Sequence, residues 1–134
     1  MKYKKNGFCI DDERESVQLE KVEALLRASY WASERSLDLI KMSIEHSVCF
    51  SLFQGHEQIG FARVVTDFAS VAYISDVIIE PEFRKLGLGK WLTETIVNDP
   101  RWKDKLQILV TDDAHTLYER IGFGNSHKLL STSV

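Results

Sequence analysis

The hydrophobic and polar positions of this chain change period along its length. Val17, Val22, Leu25 and Leu26 recur near helical spacing, which predicts a helix after the acidic turn 11–15, capped by Asp12 or Ser16. Tyr30-Trp31-Ala32-Ser33 breaks that pattern. A second helix is predicted from Ser33 or Ser36, with Leu37, Ile40 and Ile44 on one face and Asp38 and Lys41 turned outward. Upstream, residues 7–10 read as a short apolar strand. The middle of the chain is dense in β-branched and aromatic residues: 47–53, 58–65 and 71–79 are predicted strands, separated by turn signals at 54–57 and 67–70. Short turns between successive strands imply an antiparallel meander.

The last third alternates. Residues 89–97 are predicted helical, with Leu92 and Ile96 inward and Pro100 beyond the end. Residues 106–110 form a short strand. Residues 111–121 form a helix, opened by Asp112 or Asp113 and closed by Gly122, and a final strand follows Asn125. Strand 71–79, helix 89–97 and strand 106–110 make a βαβ unit, which places its strands parallel. The predicted class is α/β: a mixed, mostly antiparallel sheet flanked by helices, in a single domain spanning 1–134.

Composition narrows the function. At 134 residues, with 44% hydrophobic and 28% charged, the chain suits one globular domain. A net charge of −3 argues against a nucleic-acid partner, which calls for a basic excess. No apolar run approaches the roughly 20 residues of a membrane span, and 7–10 is too short for a signal peptide, so no membrane partner and a cytoplasmic location are expected. Cys9 and Cys49 sit in apolar surroundings and suggest neither a disulfide framework nor a metal site.

The informative stretch is 76–90. A strand leaves through Glu80-Pro81, and Arg84, Lys85, Leu86, Gly87, Leu88, Gly89 and Lys90 lead into a helix. Free N–H groups and the positive dipole end favour an anion at such a helix start, and glycines admit a phosphate close to the backbone. A P-loop is excluded, because Trp91 follows Gly89-Lys90 and no Gly stands five residues before Gly89. A dinucleotide fingerprint is excluded too, because Leu92 takes the place of its third glycine.

The spacing Arg84-x-x-Gly87-x-Gly89 resembles the acetyl-coenzyme A loop of the GNAT superfamily of N-acetyltransferases. Leu117-Tyr118-Glu119-Arg120-Ile121-Gly122-Phe123 resembles that family's second signature, in the expected order. The resemblance runs from Phe8 onward and implies the GNAT acyl-CoA N-acyltransferase fold. It implies that backbone groups of Val77, Ile78 and Ile79 pair with the pantetheine arm, and that N–H groups of residues 84–89, beside Lys90, hold the pyrophosphate. It also implies that Tyr118 lies near the thioester sulfur, in a gap opening between strands 71–79 and 106–110. Many relatives carry Asn seven residues before the motif Tyr. Here that position is Thr111, which still offers a hydrogen bond to the coenzyme.

The implied activity is acetyl transfer from acetyl-CoA, the co-substrate, to a primary amine by direct attack in a ternary complex, without a metal. A free alkyl ammonium has a pKa of about 10, so a base or an ordered water must take its proton. Asp76 is the first candidate base and Tyr118 the candidate acid for the leaving thiolate. Tyr30 and Trp31 are the candidate acceptor wall, with Glu34, Arg35, Asp67 and Tyr73 as further candidates. The alternative from a different class is a non-catalytic sensor or interaction module that binds acetyl-CoA or CoA. A C-terminal strand exchanged or paired between copies would make a homodimer.

Overall fold

The structure, a computed structural model, describes residues 1–132. Six strands form one sheet in chain order: β1 (Lys2–Lys5), β2 (Phe8–Asp11), β3 (Val48–Gln54), β4 (Glu57–Thr66), β5 (Val71–Ile79) and β6 (Leu106–Leu109). The first five pair antiparallel, and β6 joins β5 in parallel after a crossover helix. The mixed, mostly antiparallel sheet flanked by helices is the architecture expected. The polar composition of β1 hides it from hydrophobic periodicity. Its signal is the Asn6-Gly7 pair, which turns directly from β1 into β2 with φ of 51° and 85°, the left-handed geometry that a two-residue hairpin favours.

Helices α1 (Leu19–Arg27) and α2 (Leu37–Glu45) cover one face, packing Val22, Leu25, Leu26, Ile40 and Ile44 on Cys49, Phe61 and Ile78. Helix α3 (Leu88–Val97) covers the other face. There Leu88, Leu92 and Ile96 join Phe50, Leu52, Val64 and Ile74 around the buried Trp102, whose indole N–H donates to the Ile96 carbonyl at 2.7 Å. Cys49 is buried and its thiol is pushed up to about 11 by desolvation, so it behaves as a core residue. Cys9 is only half-buried.

Several local expectations change. Ser36 caps α2, accepting from the Leu39 N–H at 3.2 Å, but neither Asp12 nor Ser16 caps α1. Ser16 donates to Asp11, and Asp12 takes the terminal ammonium and Arg101 instead. The last helix, α4 (His115–Arg120), is shorter than predicted. Neither Asp112 nor Asp113 opens it; the Thr111 hydroxyl accepts from the Ala114 N–H at 3.0 Å. No strand forms over 125–132, so the predicted final strand is absent among the described residues.

One irregularity positions the site. Phe61 pairs with Ile78 and Arg63 with Ser75, so Ala62 stands opposite both Asp76 and Val77. This bulge holds Asp76 at φ 53°, a left-handed conformation that Asp tolerates. Strict alternation from Ala72 and Ile74 would drive the Asp76 carboxylate into the apolar core under α3. The extra residue turns it to the α1–α2 face, beside Arg63, and returns Val77 and Ile79 to the α3 core.

Candidate active site

The parallel pairing of β5 and β6 runs only from Val71–Leu106 to Ile74–Leu109. Beyond Ile74 the strands part, and the β6-facing edge of residues 75–79 has no strand partner. A cleft of about 420 Å³ opens there. Ser75, Asp76 and Val77 line one wall; Val110, Thr111 and Tyr118 line the other; Tyr30, Trp31 and Arg35 close it from the loop between α1 and α2.

The β5 edge leads from this cleft toward the glycine loop. Pro81 opens a short 3₁₀ turn, and the Arg84 guanidinium folds back to donate to the Ile79 carbonyl at 3.1 Å. Lys85 and Gly87 both take left-handed φ, 69° and 76°. Gly87 is the N-cap of α3, and no side chain caps that helix, which leaves its first N–H groups facing outward. A Cβ at Gly89 would meet only Ile79, at 3.9 Å, so the chain's own packing does not demand glycine there. Open space, free donors and exposed Arg84 and Lys85 together fit a pyrophosphate approaching from outside. Ile78 and Ile79 put their side chains into opposite cores, so what this stretch of β5 can offer a ligand is the backbone groups that alternate onto its unpaired edge.

Tyr118 is set by the end of α4. The Phe123 N–H donates to the Tyr118 carbonyl at 3.0 Å and the Gly122 N–H to the Glu119 carbonyl at 3.2 Å. Gly122 supplies the left-handed residue at φ 107°, and the Tyr118 and Phe123 rings meet edge to face with centroids 5.9 Å apart. This is a Schellman closure with its apolar contact. Tyr, then Gly four residues on, then Phe, is thus the spacing that locks Tyr118 over the cleft. Only 9% of the residue is exposed, and burial, then the Asp113 charge, pushes the phenol up. A phenol raised in this way keeps its proton.

The wall predicted to face the acceptor is aromatic and open. Tyr30 and Trp31 are 62% and 45% exposed, packed edge to face at 5.1 Å. Partial desolvation, then the Asp113 and Asp112 charges, raises the exposed Tyr30 phenol. Asp112 and Asp113 are exposed at the rim. Of the further candidates, Arg35 and Tyr73 reach the cleft. Glu34 and Asp67 are not among its lining residues; Asp67 folds onto its own turn, accepting from the N–H groups of Ala69, Ser70 and Val71.

Asp76 lies within an ion-pair network. Its Oδ2 accepts from Arg35 Nη1 at 2.6 Å and Arg63 Nε at 2.7 Å, and its Oδ1 faces Trp31 Nε1 at 3.4 Å. Burial alone would raise this carboxyl, but hydrogen bonds from Arg35 and Arg63 outweigh it and hold it below the ordinary range. Arg63 also reaches Ser47 and Ser75. Sequence reasoning misses Arg63. Its signal is a charged residue inside the apolar run 59–65 of β4, where a guanidinium calls for a carboxylate partner.

The cleft thus gathers Tyr118, Asp76, Val77, Thr111, Tyr30 and Trp31, while residues 84–90 lie outside it, beyond the end of β5. Among the described residues, no group of His, Cys, Asp and Glu side chains could hold a metal ion, and no helix is long and apolar enough to cross a membrane.

Comparison with known proteins adds to this geometry. Residues 45–124, more than half of the chain, match the family described as the acetyltransferase (GNAT) domain. A crystal structure assigned to the GNAT family, from Xanthomonas campestris pv. campestris, superposes with a TM-score of 0.89 at 30% identity, covering 96% of this chain and 94% of that one. The uncharacterised N-acetyltransferase ycf52 of Gracilaria tenuistipitata var. liui is 35% identical over 114 residues, 80% of this chain and 62% of that protein. The chloroplastic GCN5-related N-acetyltransferase 1 of Arabidopsis thaliana is 26% identical over 123 residues, 87% of this chain and 61% of that protein. The chain therefore spans less than two thirds of the length of these two relatives.

Proposed function

The chain belongs to the GNAT family of acetyltransferases, and on that premise we propose that it transfers the acetyl group of acetyl-CoA to a primary amine by direct attack in a ternary complex. The observation that carries the proposal is the cleft itself: the unpaired β5 edge, Thr111 and Tyr118 share one cavity with an aromatic, acid-rimmed acceptor wall.

Acetyl-CoA, when bound, supplies an electrophilic thioester carbonyl and a thiolate leaving group. Backbone groups on the free edge of Val77, Ile78 and Ile79 hold its pantetheine arm as an added strand would. N–H groups of residues 84–89, with Lys85 and Lys90 beside them, hold the pyrophosphate. The Thr111 hydroxyl accepts from Ala114 and keeps its own proton to donate into the cleft. An N–H at the bulge of β5 steadies the developing oxyanion. Tyr118, kept protonated by burial, donates to the departing thiolate. The acceptor enters past Tyr30 and Trp31, whose faces favour a cation. Asp112 and Asp113 line the same cleft, and a carboxylate or an ordered water there takes the ammonium proton. Holding both substrates in one cleft supplies much of the rate. We place the enzyme in the cytoplasm; the chloroplastic relative shows that this family also works in organelles.

The test is thiol release from acetyl-CoA against spermidine, amino acids, aminoglycosides and lysine peptides, with acetyl-CoA binding followed by calorimetry. Turnover with any amine supports the proposal. Tight binding without turnover across the panel favours a coenzyme sensor, and no binding overturns the proposal.

A further inference from the structure

The loop between α1 and α2, which carries Tyr30 and Trp31, is tied to its own helices from below. The Arg27 guanidinium donates to the carbonyls of Ser33 and Arg35, and Ser29 accepts from the Ala32 N–H at 3.1 Å. Its hydrogen bonds to the sheet are of a different kind. Among the described residues they all end on one carboxylate: Arg35 at 2.6 Å and Trp31 at 3.4 Å reach Asp76. That carboxylate stands on the β5 bulge, the point where the strand turns its free edge toward the cleft. The Asp76 side chain is 1% exposed, and Arg63 fixes it from the sheet side at 2.7 Å. A carboxylate held by two guanidiniums and facing an indole N–H has little basicity to offer.

We propose that Asp76 is a positioning residue rather than the general base: it clamps the acceptor loop to the bulge of the coenzyme strand and so sets the distance between the two substrates. The assignment of substrates rests on the acetyltransferase reading; the clamp itself does not. Two consequences separate it from a base. Arg35, which touches no reacting atom in the base reading, must share the Asp76 phenotype. The loop must also loosen when either partner is changed, with or without turnover.

The experiment compares wild type with Asp76→Asn and Arg35→Gln. Asn accepts the left-handed backbone at position 76, so the first variant removes the charge and keeps the bulge. Arg35 stands on an exposed loop, so the second variant keeps the test open if the first fails to fold. Both are followed by hydrogen exchange of the 29–36 peptide, acetyl-CoA calorimetry, and steady-state kinetics with spermidine and a lysine peptide. Expected are faster exchange of 29–36 in both variants and acceptor KM raised about tenfold, the effect of losing one charge-assisted hydrogen bond. Acetyl-CoA affinity and the acid limb of the kcat–pH profile should stay in place. Asp76→Asn losing kcat and its acid limb while Arg35→Gln behaves as wild type makes Asp76 a base and overturns the clamp. Unchanged exchange of 29–36 in both variants overturns it as well. If wild type turns over neither amine, the exchange measurement alone decides: faster exchange upholds the clamp while the acetyltransferase reading fails.

Discussion

The two sides of this cleft are built from different materials. The side proposed for the coenzyme, which runs out of the cleft along β5 to the glycine loop beyond it, is backbone: an unpaired strand edge, an uncapped helix start, and residues at positive φ in a loop with room around them. The acceptor side is side chain: an aromatic pair on a loop, carboxylates at the rim, and an ion-pair network joining residues 41 and 13 positions apart. A backbone site recognises what every coenzyme molecule shares and is fixed by conformation. A side-chain site is altered by single substitutions without touching the fold. The contrast teaches where specificity can diverge within one scaffold.

The sharpest way to break that contrast is to put a side chain into the backbone-built side. Gly89→Val places a branched group in the open space above the first turn of α3, where the protein offers no steric objection. Coenzyme affinity should fall at least about 100-fold, roughly 2.7 kcal/mol, with thermal stability little changed. Calorimetry beside a melting curve checks both, and an unaltered affinity would reject the loop as the pyrophosphate site.

The next effect in size lies on the acceptor side and falls on stability. Asp76→Ala leaves two guanidiniums without their counter-charge. A fully buried pair broken this way costs about 3–5 kcal/mol; partial exposure of Arg35 and Arg63 lowers the expectation to about 2–3 kcal/mol. The same carboxyl gives a pH signature. Its folded-state pKa is depressed, so its contribution is complete above the unfolded value of about 3.9 and is lost as pH falls through the folded one. Urea midpoints of wild type should therefore drop below about pH 4 more steeply than those of Asp76→Ala.

Tyr118→Phe sharpens the comparison from the wall of the cleft opposite β5. It keeps the ring packed on Phe123 and removes only the hydroxyl. Turnover should fall about 100-fold, at the lower end for a lost general acid, while coenzyme affinity holds. Wild-type turnover would remove the proton-donor role. The smallest effect is expected at Gly122→Ala, where φ is 107°. It should cost about 1 kcal/mol of stability and loosen Tyr118, lowering kcat only modestly; a urea titration and a rate assay measure the two together.

How much of this was legible follows the same division. The glycine loop and the Leu117–Phe123 stretch read directly, because each is a local backbone device whose residues stand within a few positions of one another. The meander and the βαβ unit were legible from apolar periodicity. The β1 strand escaped because its faces are polar, although Asn6-Gly7 announces its turn. The strand predicted beyond Asn125 is absent among the described residues, where the polar stretch 126–132 carries little β-branched or aromatic content to hold a strand.

The sequence by itself determined the class of fold, the glycine loop proposed for the coenzyme and the spacing that locks Tyr118, since local conformation and hydrophobic period are properties of neighbouring residues. Only the tertiary structure decided the role read for Asp76. Strand alternation gives no sign that the register between β4 and β5 slips at Ala62. That slip takes a carboxylate out of the apolar core and sets it between Arg35 and Arg63, charges contributed by a distant loop and a neighbouring strand. Electrostatic partners are chosen by proximity in space, and proximity across a sheet is set by pairing that no single strand encodes.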